Sequence, residues 1–151
     1  MIKKQTQGGK NKRKGSAFER EIAGKLSFWI YGDKNVLRRS PSSGAEHQYG
    51  QGADVSLFQP NYKDFNIFVE VKCGYKDDLF NARKQILLWY KIAKDKNTKQ
   101  YPIWIIWKIL NRGIILASTQ KFKNIDCLYI LDDLYIYDFK ELLNIKYNDI
   151  L

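Results

Sequence analysis

The sequence predicts an α/β domain with a central mixed β-sheet flanked by helices. Two segments have apolar residues at helical spacing, and several short segments of β-type composition surround them. This order of helical and strand-like segments is typical of α/β domains. With 151 residues and 44% hydrophobic content, the chain is long and apolar enough for one folded core, which excludes a wholly disordered protein.

The N-terminal part divides into a basic arm and a helix. Residues 1–14 contain six basic side chains and no acidic one, so we expect a disordered arm ahead of a single domain at 15–151. Residues 16–30 are predicted to be helical, and Glu19 falls inside the apolar arc of that helix, whereas Glu21 falls outside it. A carboxylate on a docking face needs a compensating lysine, metal or ligand, unless it lies at the edge of that face.

Three short strands are predicted around a polar loop. Residues 36–39 and 53–58 have β-type composition, and the loop at 40–52 between them has little to bury. The segment 67–73 is the next strand, and the polar connection before it predicts a β-hairpin with 53–58. The single histidine, His47, falls in the loop, and we expect it to be exposed.

The remaining elements complete the sheet and its helices. Asp77 and Asp78 can cap a helix that runs to about Lys96. Residues 103–109 are apolar on both faces, as expected for a central strand that is covered on both sides. The other predicted elements are strands at 114–117, 128–131 and 135–137, and a helix at 138–145.

The net charge of +10 is unevenly distributed, with +7 in residues 1–50 and zero in residues 101–151. A basic half beside a neutral half indicates a surface for a polyanion such as DNA, although a basic surface also serves solubility. The residues that we expect to contact DNA are Arg13, Lys14, Arg20, Arg38, Arg39, Ser40, Arg83 and Lys84.

Several classes of protein are excluded. No apolar run approaches the ~20 residues of a membrane span, and no apolar segment follows the basic N-terminus as in a secretory signal. Cys73 and Cys127 are too far apart for a C-x-x-C motif, which favours reduced thiols. We therefore expect a cytoplasmic protein without a membrane partner, located in the host cytoplasm if a phage encodes it.

The apolar strand at 67–73 contains the residues that point to chemistry. Glu70 and Lys72 share one face of this strand, where an isolated pair would usually be a plain salt bridge. The predicted hairpin brings Asp54 alongside Glu70, and two converging carboxylates favour a hard divalent cation. Such a cation activates water and neutralises phosphate charge. Lys72 could then orient the water, and Glu19 could add a further carboxylate.

The order of these residues is the PD-(D/E)xK nuclease pattern. Residues 15–21, G-S-A-F-E-R-E, resemble the G-x-x-x-E-R-E opening of the archaeal-type Holliday junction resolvases. Arg39-Ser40, Asp54 and the V-E-V-K segment at 69–72 match that family in the same order, and the resemblance spans about residues 12–118. The R-R-S-P-S-S-G stretch that begins at Arg38 is similar to bacteriophage members of the nuclease group.

The resemblance implies a restriction-endonuclease-like fold in which 15–151 is one nuclease domain. It implies a catalytic set of Glu19, Asp54, Glu70 and Lys72, with Mg²⁺ as the cofactor and Mn²⁺ as a substitute. The metal ligands would be Asp54, Glu70 and the backbone carbonyl of Val71, with Glu19 as a further candidate. The family works as a two-fold homodimer that resolves four-way (Holliday) junctions by paired hydrolysis, so branched or four-way junction DNA is the expected partner.

We expect the dimer interface in the neutral C-terminal half of the chain. Trp104, Trp107, Ile109 and the segment 128–131 offer apolar surface there, and an interface core is depleted of charge. Ordinary core packing would explain the same residues equally well.

Two other interpretations remain open. The loop between Ser40 and Asp54 is longer than in the archaeal enzymes and borders the site, so the preference for junction DNA is open. The first alternative is another PD-(D/E)xK nuclease, either restriction-like or RecB-like and end-processing. The segment 85–90 resembles the Q-x-x-x-Y helix of RecB-like exonucleases, with Trp89 at the tyrosine position, although we favour core packing for Trp89. The third interpretation is a non-catalytic DNA-binding module, against which the intact Asp54 and E-x-K residues argue.

Overall fold

The computed structural model describes residues 7–41, 52–75, 79–109 and 113–151. Within these ranges the elements in chain order are α1 (Gln7–Tyr31), β1 (Leu37–Arg39), β2 (Val55–Leu57), β3 (Phe68–Tyr75), α2 (Leu79–Lys96), β4 (Ile103–Ile109), β5 (Gly113–Ser118), β6 (Tyr129–Leu131), β7 (Leu134–Asp138), α3 (Phe139–Leu143) and α4 (Tyr147–Ile150). None of the described helices is long and apolar enough to cross a membrane.

Five strands form one mixed sheet in the order β3-β4-β5-β7-β6. Strands β3 and β4 are parallel, whereas the other neighbouring pairs are antiparallel. Strand β4 lies between β3 and β5 and is buried from Ile103 to Trp107, as its apolar character on both faces predicted. The predicted fold class, a mixed sheet flanked by helices, is therefore confirmed.

Helices cover both faces of the sheet. Each strand contributes side chains to both cores, because successive side chains point to opposite faces. On one face, Ile22 of α1 belongs to the same core as Trp104. On the other face, Ile86 of α2 belongs to a second core with Trp107. The two C-terminal helices lie on the α1 side, where Phe139 and Leu142 join the first core.

Helix α1 begins earlier than the sequence predicted. It starts at Gln7, so residues 7–14, expected to be part of a disordered arm, are helical, while residues 1–6 lie outside the described residues. Once residues 16–30 are held against the sheet, further helical turns need no new nucleus, so the helix continues to Gln7 even though Gly8 and Gly9 are poor helix formers.

The predicted hairpin between the strands at 53–58 and 67–73 is wrong. Strand β2 pairs antiparallel with β1 in a separate two-stranded sheet, and β3 pairs with β4. Residues 58–67 are too long a connection for the tight turns that fix a hairpin register. The two segments still touch at one point, because the backbone N–H of Asp54 donates a hydrogen bond to the carbonyl of Val69 over 2.8 Å.

Two of the predicted interface residues belong to the core instead. Trp104 and Trp107 are fully buried between the sheet and its helices, so they offer no surface to a second subunit. Both are apolar residues on alternate faces of the central strand β4, where large side chains fill the two cores.

Candidate active site

Asp54 lies just before β2 and is fixed against β3. Its side-chain Oδ2 accepts a hydrogen bond of 2.7 Å from the backbone N–H of Val71. Its backbone carbonyl accepts a hydrogen bond of 2.8 Å from the backbone N–H of Ser40, which anchors the segment to the end of β1. These bonds bring Asp54 to the strand that contains Glu70, although no hairpin joins them.

Glu70 and Lys72 lie on the face of β3 that looks toward α2. Glu70 is only 4% exposed, and its Oε2 lies 3.6 Å from the Nζ of Lys72. Its other oxygen, Oε1, is buried without a hydrogen-bond partner among the described residues. A buried carboxylate oxygen without a donor is costly, and functional sites are where such groups persist.

The electrostatics of the two carboxyl groups show a shortage of positive charge. Burial, followed by repulsion from Glu70, raises the pKa of Asp54 from its ordinary value to about 8. Burial also raises the pKa of Glu70, although the charges of Lys72 and Lys96 oppose that rise. Two neighbouring carboxylates in a poorly solvated place cannot both ionise readily unless a cation lies between them.

These residues fit a hard divalent cation. Asp54 and Glu70 supply oxygen ligands, and Oε1 of Glu70 has no other described partner. The described part of the chain contains no group of three or more histidine, cysteine, aspartate or glutamate side chains placed to hold a metal. An ion at this site would therefore also use a backbone carbonyl, as proposed for Val71, and water molecules, which hard cations commonly retain.

Lys72 is held by an aromatic ring as well as by Glu70. Its Nζ lies 5.6 Å from the centre of the Trp89 ring, a distance that allows a cation–π contact. Trp89 is buried, and its ring meets Trp107 edge-on with 5.1 Å between the centroids. Core packing of Trp89, the interpretation we favoured from the sequence, is confirmed, and the same ring supports Lys72.

Glu19 is compensated by an arginine. Its Oε2 lies 2.6 Å from the Nε of Arg39, and both side chains are about three-quarters buried. Its charge also contributes, after burial and Glu70, to the raised pKa of Asp54, so Glu19 acts on the carboxyl pair electrostatically. Glu21 is exposed and, within the described ranges, forms an ion pair with Lys25 alone, at 3.8 Å, so the helical projection separated the two glutamates correctly.

The residues expected to contact DNA are not equally placed for it. Lys14, Arg20, Arg38 and Lys84 are exposed. Arg39 is engaged with Glu19.

Two further expected DNA contacts are placed differently. Ser40 is buried, and its hydroxyl contacts that of Ser56 at 2.5 Å, which leaves it poorly placed for a phosphate. Arg83 is exposed and lies 5.6 Å from the ring centre of Tyr129 on β6, the edge strand opposite β3. The side chain of Arg13 and the whole of His47 lie outside the described residues.

The sequence analysis did not identify two basic residues as partners of the carboxylates. Arg39 was expected at DNA and instead holds Glu19, and Lys96 was not singled out although its charge acts on Glu70. Lys96 is the last residue of α2 and packs closely against Gly52. A Cβ atom added to Gly52 would lie only 3.2 Å from the Cβ of Lys96. Neither role has a local signal, because the partners are distant in sequence.

Comparison with known proteins identifies one related family. A family model described as "Phage putative PDDEXK endonuclease" matches residues 10–130. The matched range includes Glu19, Asp54, Glu70 and Lys72. No curated protein and no solved structure matches the chain. The match supports the PD-(D/E)xK part of the resemblance noted in the sequence and does not reach the Holliday junction resolvase type.

Proposed function

Because the chain belongs to the phage PDDEXK endonuclease family, we propose that it is a metal-dependent endonuclease that hydrolyses phosphodiester bonds in DNA. One observation supports this proposal most strongly. Asp54 and Glu70 come together beside Lys72, and a buried oxygen of Glu70 has no hydrogen-bond partner among the described residues. A plain structural salt bridge would not need the second carboxylate.

Asp54, Glu70 and the backbone carbonyl of Val71 would hold the cation, with Mg²⁺ as the expected ion and Mn²⁺ as a substitute. When bound, a divalent ion of this kind lowers the pKa of water and neutralises charge on the phosphate. The chain itself fixes the two carboxylates, since the N–H of Val71 holds Asp54 and strand β3 holds Glu70. Because these ligands are already in position, the site does not need to reorganise during the reaction.

Lys72 is the residue we assign to the attacking water and to the developing negative charge. Glu70 and the ring of Trp89 hold its ammonium group from two sides, while about a third of the side chain remains exposed to a substrate. A positioned cation next to a phosphate stabilises the additional negative charge of the transition state.

Glu19 and Arg39 form the outer part of the proposed site. Arg39 holds the Glu19 carboxylate, and Glu19 can accept a hydrogen bond from a water molecule at the site. Glu19 is not placed with Asp54 and Glu70 as a third ligand among the described residues, so it is not part of the proposed metal ligand set. Arg39 in turn can exchange Glu19 for a phosphate when DNA binds, which would retain its predicted contribution to DNA binding.

The DNA structure that is cleaved is a separate question. The family description specifies an endonuclease and no DNA shape, so a general PD-(D/E)xK DNA nuclease is the function with the most support. The proposal of branched or four-way junction DNA has support only from the sequence resemblance around residues 15–21. Paired incision of a junction would also require two copies of the site.

A substrate panel tests this function. Linear duplex, flap and four-way junction DNA of matched sequence are incubated with the protein in Mg²⁺, in Mn²⁺ and in EDTA. We expect cleavage in either metal and none in EDTA. Full cleavage in EDTA would overturn the metal-dependent mechanism, and equal rates on all three substrates would exclude a junction-selective enzyme.

We further propose a homodimer joined through the edge of the sheet at β6. Support comes from Leu128 and Ile130, whose side chains are 57% and 61% exposed. Both lie in residues 101–151, where the basic and acidic residues are equal in number. An exposed edge strand with apolar side chains can pair with a second copy of itself. Light scattering on the free protein and on the variant Ile130→Lys tests this, since a monomer in both cases would exclude the dimer.

A further inference from the structure

A groove lies on the outer face of α1, away from the carboxylates. It has a volume of about 820 Å³ and lies between α1 and the C-terminal segment 143–149. Gly24, Phe28 and Trp29 line it from α1, and Tyr147 lines it from the other wall. We call it the C-terminal groove, and no residue of the proposed catalytic set lines it.

A smaller cavity of about 390 Å³ lies between this groove and Arg39, the ion-pair partner of Glu19. Arg20, Gly24 and Lys34 line both cavities, so the two are adjacent. The smaller cavity extends to Arg38 and Arg39, and Arg39 is the residue that holds Glu19. A ligand in the groove could therefore continue along the surface to the site where cleavage is proposed.

The lining of the two cavities is strongly basic. Its six basic side chains are Arg20, Lys25, Lys34, Arg38, Arg39 and Lys146. Only Glu21 and Asp149 are acidic, and Glu21 is already paired with Lys25. This excess of positive charge along a continuous path fits a polyanion better than a neutral peptide.

Aromatic side chains add a second feature to this basic path. Phe28 is 58% exposed and lines the groove, so its ring is accessible to a ligand there. Beside it, Trp29 is fixed by a hydrogen bond of 2.7 Å from its Nε1–H to the carbonyl of Ile145 and by an edge contact with Tyr147 at 5.1 Å. Exposed rings along a basic groove are how proteins bind unpaired bases, since the bases of a duplex already stack on one another.

Gly24 marks the junction of the two cavities. It lies inside the 25-residue helix α1, where glycine is a poor helix former. Apart from the adjacent residues and the nearby backbone of α1, no described atom lies within 4 Å of the position its Cβ would occupy. Packing within the described protein therefore does not require a glycine here. A missing side chain leaves the helix backbone open to a ligand that passes close to it.

We propose that the C-terminal groove binds an unpaired DNA strand that leads to the cleavage site. This inference rests on the proposed nuclease function and adds a substrate class, namely DNA in which a duplex carries a single-stranded arm. The basic side chains contact the phosphates, and Phe28 stacks with an unpaired base.

Binding in EDTA tests this proposal without cleavage. A blunt duplex is compared with the same duplex extended by a single-stranded thymidine arm. Phe28→Ala should weaken binding of the armed duplex by about tenfold, the scale of one stacked base, and leave the blunt duplex within about twofold. Leu88→Ala is the matched control, because Leu88 is 51% exposed on α2 and lines neither cavity.

Gly24 gives an independent test of the same path. Gly24→Ala should preserve binding, whereas Gly24→Leu, which favours the helix but fills the junction, should weaken binding of the armed duplex. Circular dichroism confirms that both variants fold. A 5-iododeoxyuridine in the arm should cross-link to Phe28 or Tyr147.

The outcomes separate this inference from the nuclease proposal. If Phe28→Ala and Gly24→Leu bind both DNAs like the wild type, the groove is not a strand path, and this result leaves a requirement for Asp54 in cleavage untouched. If the same variants instead convert a dimer to a monomer in light scattering, the groove is a subunit interface and the inference is overturned. Cleavage that is unaffected by Asp54→Asn would reject the nuclease mechanism and leave the binding result intact.

Discussion

The two faces of strand β3 differ although their residues alternate along one short segment. Val69 and Val71 point into the core under α1 and are buried among apolar side chains. Glu70 and Lys72 point to the other face, where Glu70 is buried with an oxygen that has no partner among the described residues. One face therefore stabilises the fold, whereas the other retains charges that the fold alone does not compensate.

The largest expected effect is a loss of DNA cleavage when a carboxylate at the charged face of β3 is replaced. Asp54→Asn or Glu70→Gln should reduce cleavage by about 10²–10³-fold or more, because each removes a charged oxygen from the proposed site. Binding of DNA should remain nearly unchanged, since other residues contact the phosphates. Single-turnover cleavage and a gel-shift assay measure the two quantities.

The matched control lies on the apolar face of the same strand. Val69→Ala should lower the free energy of unfolding by roughly 2 kcal/mol through the lost buried methyl groups and the cavity they leave. Cleavage per folded molecule should stay close to the wild-type value. Equal loss of activity in Val69→Ala and Glu70→Gln would mean that the two faces are not functionally distinct.

A smaller effect is expected at helix α1, where two glutamates have different surroundings. Glu19→Gln should slow cleavage by about 10²-fold, the scale for a positioned charge-stabilising or acid–base group. Glu21→Gln should change the rate by less than about twofold, because Glu21 is exposed and forms an ion pair with Lys25 on the surface of α1. Similar rates for the two variants would contradict the assignment of Glu19 to the site.

The charged face should also weaken the metal-free fold as the pH rises. The pKa of Asp54 is about 8 in the folded protein because of burial and then Glu70, and about 4 when unfolded. Between these values the folded state keeps a proton that the unfolded state releases, so stability is full below pH ~4 and is lost as the pH rises through about 8.

Asp54→Asn removes this loss and still offers an oxygen to the N–H of Val71. In EDTA at pH 8 the variant should be more stable than the wild type by roughly 1–3 kcal/mol, with a smaller difference at pH 4. Thermal unfolding at the two pH values measures this. Addition of Mg²⁺ should raise the Tm of the wild type more than that of the variant, and the reverse order would contradict a metal site at Asp54.

The sequence predicted what depends on local periodicity. Alternation along β3 placed Glu70 and Lys72 together, and the helical projection of α1 put Glu19 on the docking side. The match of a nuclease family to residues 10–130 agrees with the motif order that these patterns revealed.

The sequence could not give contacts between distant elements. The pairing of β1 with β2, in place of the predicted hairpin, depends on which strand edges remain available once β3 has paired with β4. The ion pair between Glu19 and Arg39 joins a helix to a strand twenty residues away, with no spacing rule to reveal it. Trp104 is equally apolar as a core or an interface residue, and only the packed structure decides between them.

The smallest expected effect concerns the basic surface and compares its two ends. If six or more phosphates are neutralised, DNA affinity should fall by about 10³-fold or more between roughly 50 and 200 mM salt. Arg20→Ala should reduce the slope of log affinity against log salt by about one unit, because Arg20 is exposed beside the proposed site and can contact a phosphate. Arg83→Ala should leave the slope unchanged, since Arg83 lies against Tyr129 at the opposite edge, four strands or ~19 Å from β3. An equal reduction in both variants would mean that DNA crosses the whole sheet, and the contrast between the catalytic edge and the far edge would then disappear.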